Sequence, residues 1–105
     1  MKRTIRKLGI MAAMDEEFRL IAQALDCSAS HAVGPRTFYS GSLKGLDLTL
    51  AVAQIGKVAS AVTTSLLIHK FDVDAVLFVG VAGAADSRVR VGDVVVADRL
   101  VQHDI

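Results

Sequence analysis

Tryptophan is absent from this 105-residue sequence, and aromatic side chains make up only 5% of it. So little ring surface argues against a base-stacking platform for single-stranded nucleic acid. Neither sign of charge dominates: 12 Lys and Arg against 11 Asp and Glu leave a net charge of +1. That balance gives nucleic acid or an anionic membrane no electrostatic footprint. The single cysteine, Cys27, excludes an intrachain disulfide and fits a reducing, cytoplasmic compartment. Its ordinary role is that of a small, semi-buried hydrophobe. No apolar run approaches membrane-spanning length. Lys2, Arg3, Arg6 and Lys7 ahead of Leu8–Met14 superficially mimic a signal peptide. That short apolar run meets Asp15-Glu16-Glu17 with no cleavage site, so a first strand behind a basic tail fits better.

Apolar residues are plentiful, at 52% with a mean hydropathy of +0.47, enough to fill the core of one compact domain. The organising stretch is Ala75–Val79, an unbroken apolar run between Asp74 and the glycine-containing turn Gly80–Ala84. A run without polar alternation predicts a strand buried on both faces, in the middle of a parallel α/β sheet. Ligands bind beyond the carboxyl ends of such strands, where this turn would lie.

Leu8–Ala13 predicts a first buried strand. Asp15 predicts a helix N-cap, with Glu16 and Glu17 in the first turn, where the helix dipole favours acids. Phe18, Ile21, Ala22 and Leu25 share one apolar face of that helix, which is expected to end near residues 26–28. Residues 28–35 are small and polar and predict a loop carrying His31, Gly34 and Pro35. Thr37–Leu43 and Leu46–Val52 around Lys44-Gly45 predict an antiparallel hairpin, and hence a mixed sheet. Gln54–Lys57 is expected to end the second of these strands and start a second helix running to about Lys70, with Val58, Val62, Ser65, Leu66 and His69 on one face. After the polar connection Asp86–Arg90, Val91–Asp98 predicts a further strand.

Chemistry has few candidates. Glu17, at a strand-to-helix turn, is placed for general-base work, although three acids at a helix start also serve as ordinary capping. The turn at 80–84 lacks the glycine spacing of a dinucleotide fingerprint and the Lys-Ser/Thr of a P-loop. His69 has no partner at i±4 and reads as a helix-end residue, so no metal site is expected. His103 and Asp104 are adjacent and, on a strand, would face opposite sides.

Four segments together resemble the bacterial 5′-methylthioadenosine/S-adenosylhomocysteine nucleosidases of the nucleoside phosphorylase/nucleosidase superfamily. They are Gly9–Glu17, Ile55–Ala61, Gly80–Gly83, and Val91–Val96 followed by His103-Asp104. The resemblance implies an α/β/α sandwich around a mixed central sheet. It also implies cofactor-free hydrolysis of the N-glycosidic bond of an adenine nucleoside, by a homodimer. Glu17 matches the catalytic glutamate that deprotonates the attacking water. Met14 and Ile55 match positions lining the ribose and 5′-thioether pocket. Val81, Ala82 and Gly83 match the turn lying against the nucleoside.

Phosphorolytic relatives hold phosphate with a glycine and an arginine near the first strand–helix turn. Asp15-Glu16-Glu17 would repel that dianion, so hydrolysis is expected over phosphorolysis. Val81 stands where many of these nucleosidases have serine, and Ala84 where a second glycine is frequent. Family members continue beyond position 105. Their later half carries the aspartate that protonates the leaving purine, the glutamate that grips the ribose hydroxyls and a base-stacking aromatic. Residues 1–105 are therefore expected to be the truncated, amino-terminal part of one such domain. The alternatives are a phosphate-dependent phosphorylase and an inactive truncated domain that only self-associates.

Overall fold

Strict alternation of side chains along one strand decides the layering. In the computed structural model, which describes residues 4–104, strand β1 spans Lys7–Ala12. It is followed by α1 (Asp15–Ala24), β2 (Asp26–Val33), β3 (Arg36–Leu43), β4 (Leu46–Val52), α2 (Lys57–His69) and β5 (Ala75–Phe78). Lys2 and Arg3 of the basic tail, and Ile105, lie outside the described residues. The five strands are ordered β2-β3-β4-β1-β5. β2, β3 and β4 form an antiparallel meander, while β4 and β5 both run parallel to β1. The sheet is mixed, as expected.

Register places like beside like. Met11 lies beside Ala51, and Ala51 beside Phe38. With Leu67 of α2 and Val73, this row forms one buried cluster. Ile10 lies beside Leu50, and Leu50 beside Tyr39. That row points the other way and packs on Phe18 and Ile21 of α1 and on Leu25 just after it. The two helices therefore cover opposite faces, which makes an α/β/α sandwich. No helix among the described residues is long and apolar enough to cross a membrane.

Several expectations are corrected. Residues 28–33 are not a loop but most of the edge strand β2, and only Gly34-Pro35 turns. Pairing with β3 satisfies one side of its backbone, and a bulge between Cys27 and Ala29 absorbs the broken alternation. An edge strand needs no apolar stripe, so its composition resembled a loop. The same pairing ends α1 at Ala24, before the expected residues 26–28. The N-cap is Met14, not Asp15, because the chain is still extended there (φ −131°, ψ 153°). Between β3 and β4, Lys44 and Gly45 both take positive φ (50° and 82°), the primed turn that suits a two-residue hairpin.

α2 starts at Lys57, at the end of the Gln54–Lys57 junction, but buries a different face from the one expected. Val58 is 78% exposed, and Val62, Ser65 and His69 also face solvent. Thr63 and Leu67 are buried instead, with Leu66 half-buried. Polar residues can occupy that face because their hydroxyls are satisfied. Thr63 Oγ1 and Thr64 Oγ1 each donate to the carbonyl four residues back at 2.8 Å, and Arg36 Nε donates to Thr63 Oγ1 at 2.8 Å.

β5 pairs only with β1, so among the described residues it is an edge strand with Leu77 and Phe78 exposed, not a central one. Val91–Asp98 forms no strand, and Val91, Val94, Val95 and Val96 are exposed. β-propensity without a ladder partner leaves backbone groups to water. Local carboxylates shape residues 86–93 instead: Asp86 accepts from Arg88 N at 2.9 Å, and Asp93 from Arg90 N at 2.8 Å. Asp104 sits in a turn, not on a strand, and forms a 2.6 Å ion pair with Lys57.

Candidate active site

Because β1, β4 and β5 are parallel, their carboxyl ends at Ala12, Val52 and Phe78 share one edge of the sheet. The ladders run one residue further: Ala53 N–H donates to Ala12 O at 2.7 Å, and Val79 N–H to Met11 O at 3.0 Å. Three connections are thus gathered there, and two of them lead into the N-termini of α1 and α2. The positive ends of both helix dipoles face this edge.

Glu17 joins two of the connections. Its side chain reaches back over the first turn of α1, where Oε1 accepts the Met14 N–H at 3.1 Å. Oε2 accepts the Val81 N–H at 2.9 Å, from the turn after β5. Two main-chain donors on two oxygens fix both the position and the plane of the carboxylate. Asp15 and Glu16 stand beside it in the same first turn.

The structure therefore brings Glu17, Met14 and Val81 into direct contact. Ile55 lies on the neighbouring β4–α2 connection, exposed between Gln54 (φ 73°) and Gly56 (φ 111°). Ala82 and Gly83 follow Val81 along an exposed stretch, and a Cβ at Gly83 would meet no protein atom within 4 Å. Gly80 enters the sequence reading only as part of that turn, yet it is the glycine with a close neighbour here: a Cβ there would lie 2.5 Å from Glu17 Oε2. The available signal was its place as the first glycine after β5. No group of three or more His, Cys, Asp or Glu among the described residues could hold a metal ion.

Two concavities lie elsewhere. A polar one of about 470 Å³ is lined by Lys7, Asp47, Thr49 and Lys70, towards the amino ends of β1 and β4. An apolar one of about 390 Å³ lies between α1 and the sheet, against Ile10, Leu77 and Val79. Neither is lined by Glu17, Met14, Ile55 or Val81.

Residues 7–105 match the model of the phosphorylase superfamily. A curated 5′-methylthioadenosine/S-adenosylhomocysteine nucleosidase of Colwellia psychrerythraea is 38% identical over 99 residues, which cover 94% of this chain and 41% of that protein. A crystal structure of such a nucleosidase from the same organism, in complex with adenine, is similar with a TM-score of 0.80 at 38% identity. That match covers 86% of this chain and 37% of that one. Futalosine hydrolase of Helicobacter pylori is similar with a TM-score of 0.74 at 34% identity, covering 81% of this chain and 37% of the other. The chain spans about two fifths of the length of the curated relatives it matches.

Proposed function

The chain belongs to the phosphorylase superfamily, and from that premise we propose that it is the amino-terminal part of a single-domain adenine-nucleoside hydrolase. Its substrates are 5′-methylthioadenosine, S-adenosylhomocysteine or a close relative. The observation that carries this reading is the Glu17 carboxylate, held by two backbone N–H groups where three parallel strands end.

In the reaction a water oxygen attacks the ribose anomeric carbon, and Glu17 takes its proton. The N-glycosidic bond breaks, and adenine leaves with the bonding electron pair and is protonated. Positive charge develops on the sugar in the transition state, so a fixed carboxylate beside it also helps electrostatically. Met14 and Ile55 line the ribose and 5′-thioether side, and the Val81-Ala82-Gly83 turn lies against the nucleoside. The leaving-group acid that the resemblance places in the later half of the family has no counterpart among residues 1–105. Full turnover therefore belongs to a longer parent protein.

The acidic first turn of α1, Asp15-Glu16-Glu17, favours water over phosphate dianion as the nucleophile. The single cysteine supports a reducing, cytoplasmic setting. The resemblance supports a homodimer as the form of the parent. The longer parent is expected to release adenine from 5′-methylthioadenosine in phosphate-free buffer, at a rate that added phosphate leaves unchanged. Turnover that strictly requires phosphate overturns the hydrolytic reading. Preferential turnover of futalosine would move the assignment to the substrate named for the Helicobacter pylori relative.

A further inference from the structure

The space a side chain at position 80 would need is already taken by Glu17. A Cβ built on Gly80 falls 2.5 Å from Glu17 Oε2, short of an ordinary 3.4 Å contact by about 0.9 Å. The other near neighbours are Phe78 Cε1 at 3.4 Å and Glu17 Cδ at 3.5 Å, both tolerable. The conflict is thus confined to one carboxylate oxygen at the end of a flexible side chain. Such a group swings aside at small energetic cost, so a methyl at position 80 leaves the fold intact. What it removes is the carboxylate's position, because the displaced oxygen is the one that accepts the Val81 N–H at 2.9 Å.

We propose that the Gly80-Val81 peptide is the positioning device for Glu17. Gly80 supplies room by lacking a Cβ, and Val81 supplies a main-chain donor that fixes the carboxylate. This rests on the reading of Glu17 as the base. It also accounts for how valine can stand at position 81. The Val81 residue is 88% exposed, and the bond to Glu17 comes from its backbone, so the side chain there is free to vary without releasing the base.

The test has a spectroscopic arm on the 105-residue chain and a kinetic arm on the longer parent. In the chain, Glu17→Gln weakens a charge-assisted hydrogen bond and shifts the Val81 and Met14 amide resonances. Gly80→Ala is expected to shift the same two amides, and adding Glu17→Gln to it moves them little further. The melting temperature of Gly80→Ala is expected to match wild type. Val81→Ser is expected to keep the Met14 amide resonance, since it retains the backbone donor that holds Glu17. In the parent, Gly80→Ala is expected to lower kcat by roughly a hundredfold with KM little changed, the scale of a displacement near 1 Å. Gly80→Ala with a wild-type Met14 amide, or with Glu17→Gln shifting that amide as far as it does without Gly80→Ala, would overturn the proposal. If the amides respond as stated but Glu17→Gln leaves parental turnover intact, the positioning stands and the assignment of Glu17 as base fails.

Discussion

Gly9 and Leu67 offer a sharp test of how β1 and α2 are joined. Leu67 is fully buried, at 0% exposure, and its two methyl carbons face the bare Cα of Gly9. A Cβ on Gly9 would meet Leu67 Cδ1 at 3.2 Å, Val73 Cγ2 at 3.3 Å and Leu67 Cδ2 at 3.4 Å. Gly9→Ala therefore combines two opposing effects. Relief of glycine's unfolded-state entropy stabilises by about 0.5–1 kcal/mol, and overpacking a close-packed contact costs about 1–3 kcal/mol. The net is destabilisation by roughly 1 kcal/mol. Leu67→Ala alone removes buried carbons and leaves a cavity, costing about 2–5 kcal/mol. In the double variant both crowded Leu67 carbons are gone and the new methyl enters the cavity. Gly9→Ala should then turn neutral or stabilising, a coupling of about 1–3 kcal/mol. Urea unfolding of the four proteins, followed by far-UV circular dichroism, measures the cycle. Additivity within about 0.3 kcal/mol would refute the reasoning.

Two further perturbations probe other joints. Asp74 Oδ2 accepts the Arg6 N–H at 2.8 Å and the Lys7 N–H at 2.9 Å, tying the start of β5 to the start of β1. The Arg6 and Lys7 backbone bonds, in that order, hold the Asp74 carboxyl below its ordinary value of 3.8. A carboxyl depressed in the fold adds stability that is complete above its unfolded pKa and is lost as pH falls through the folded one. Asp74→Asn is thus expected to flatten the fall of melting temperature below pH 3.8, and an unchanged profile would contradict the tie. Thr63→Val keeps the buried shape but removes the acceptor of the 2.8 Å bond from Arg36 Nε. We expect a loss of about 1–3 kcal/mol, read as a lower urea midpoint with an unchanged slope.

What was legible in the sequence follows from where each signal is set. The hairpin at Lys44-Gly45 and the apolar row of Phe18, Ile21 and Leu25 are local patterns, and each appears as read. The α2 face was misread because hydropathy counts Thr63 as polar, whereas its hydroxyl is satisfied by the Ala59 carbonyl and by Arg36. No local pattern reveals that a distant arginine supplies a partner. β2 was missed for a related reason: its strand character comes from β3, not from its own composition. The reverse holds at Val91–Asp98, where a strong strand pattern finds no ladder among the described residues. At the site, Glu17, Met14 and Val81 were singled out and are in contact. Gly80 enters that reading only as part of its turn, because its importance lies in an oxygen that arrives from Glu17, far away in sequence.

The most direct test of the account is adenine release from 5′-methylthioadenosine by the longer parent carrying Glu17→Gln. The substitution keeps the side chain's size and removes its capacity to accept a proton. The account predicts a fall in kcat of at least about a hundredfold, with folding and nucleoside binding retained. Wild-type turnover in that variant would contradict it.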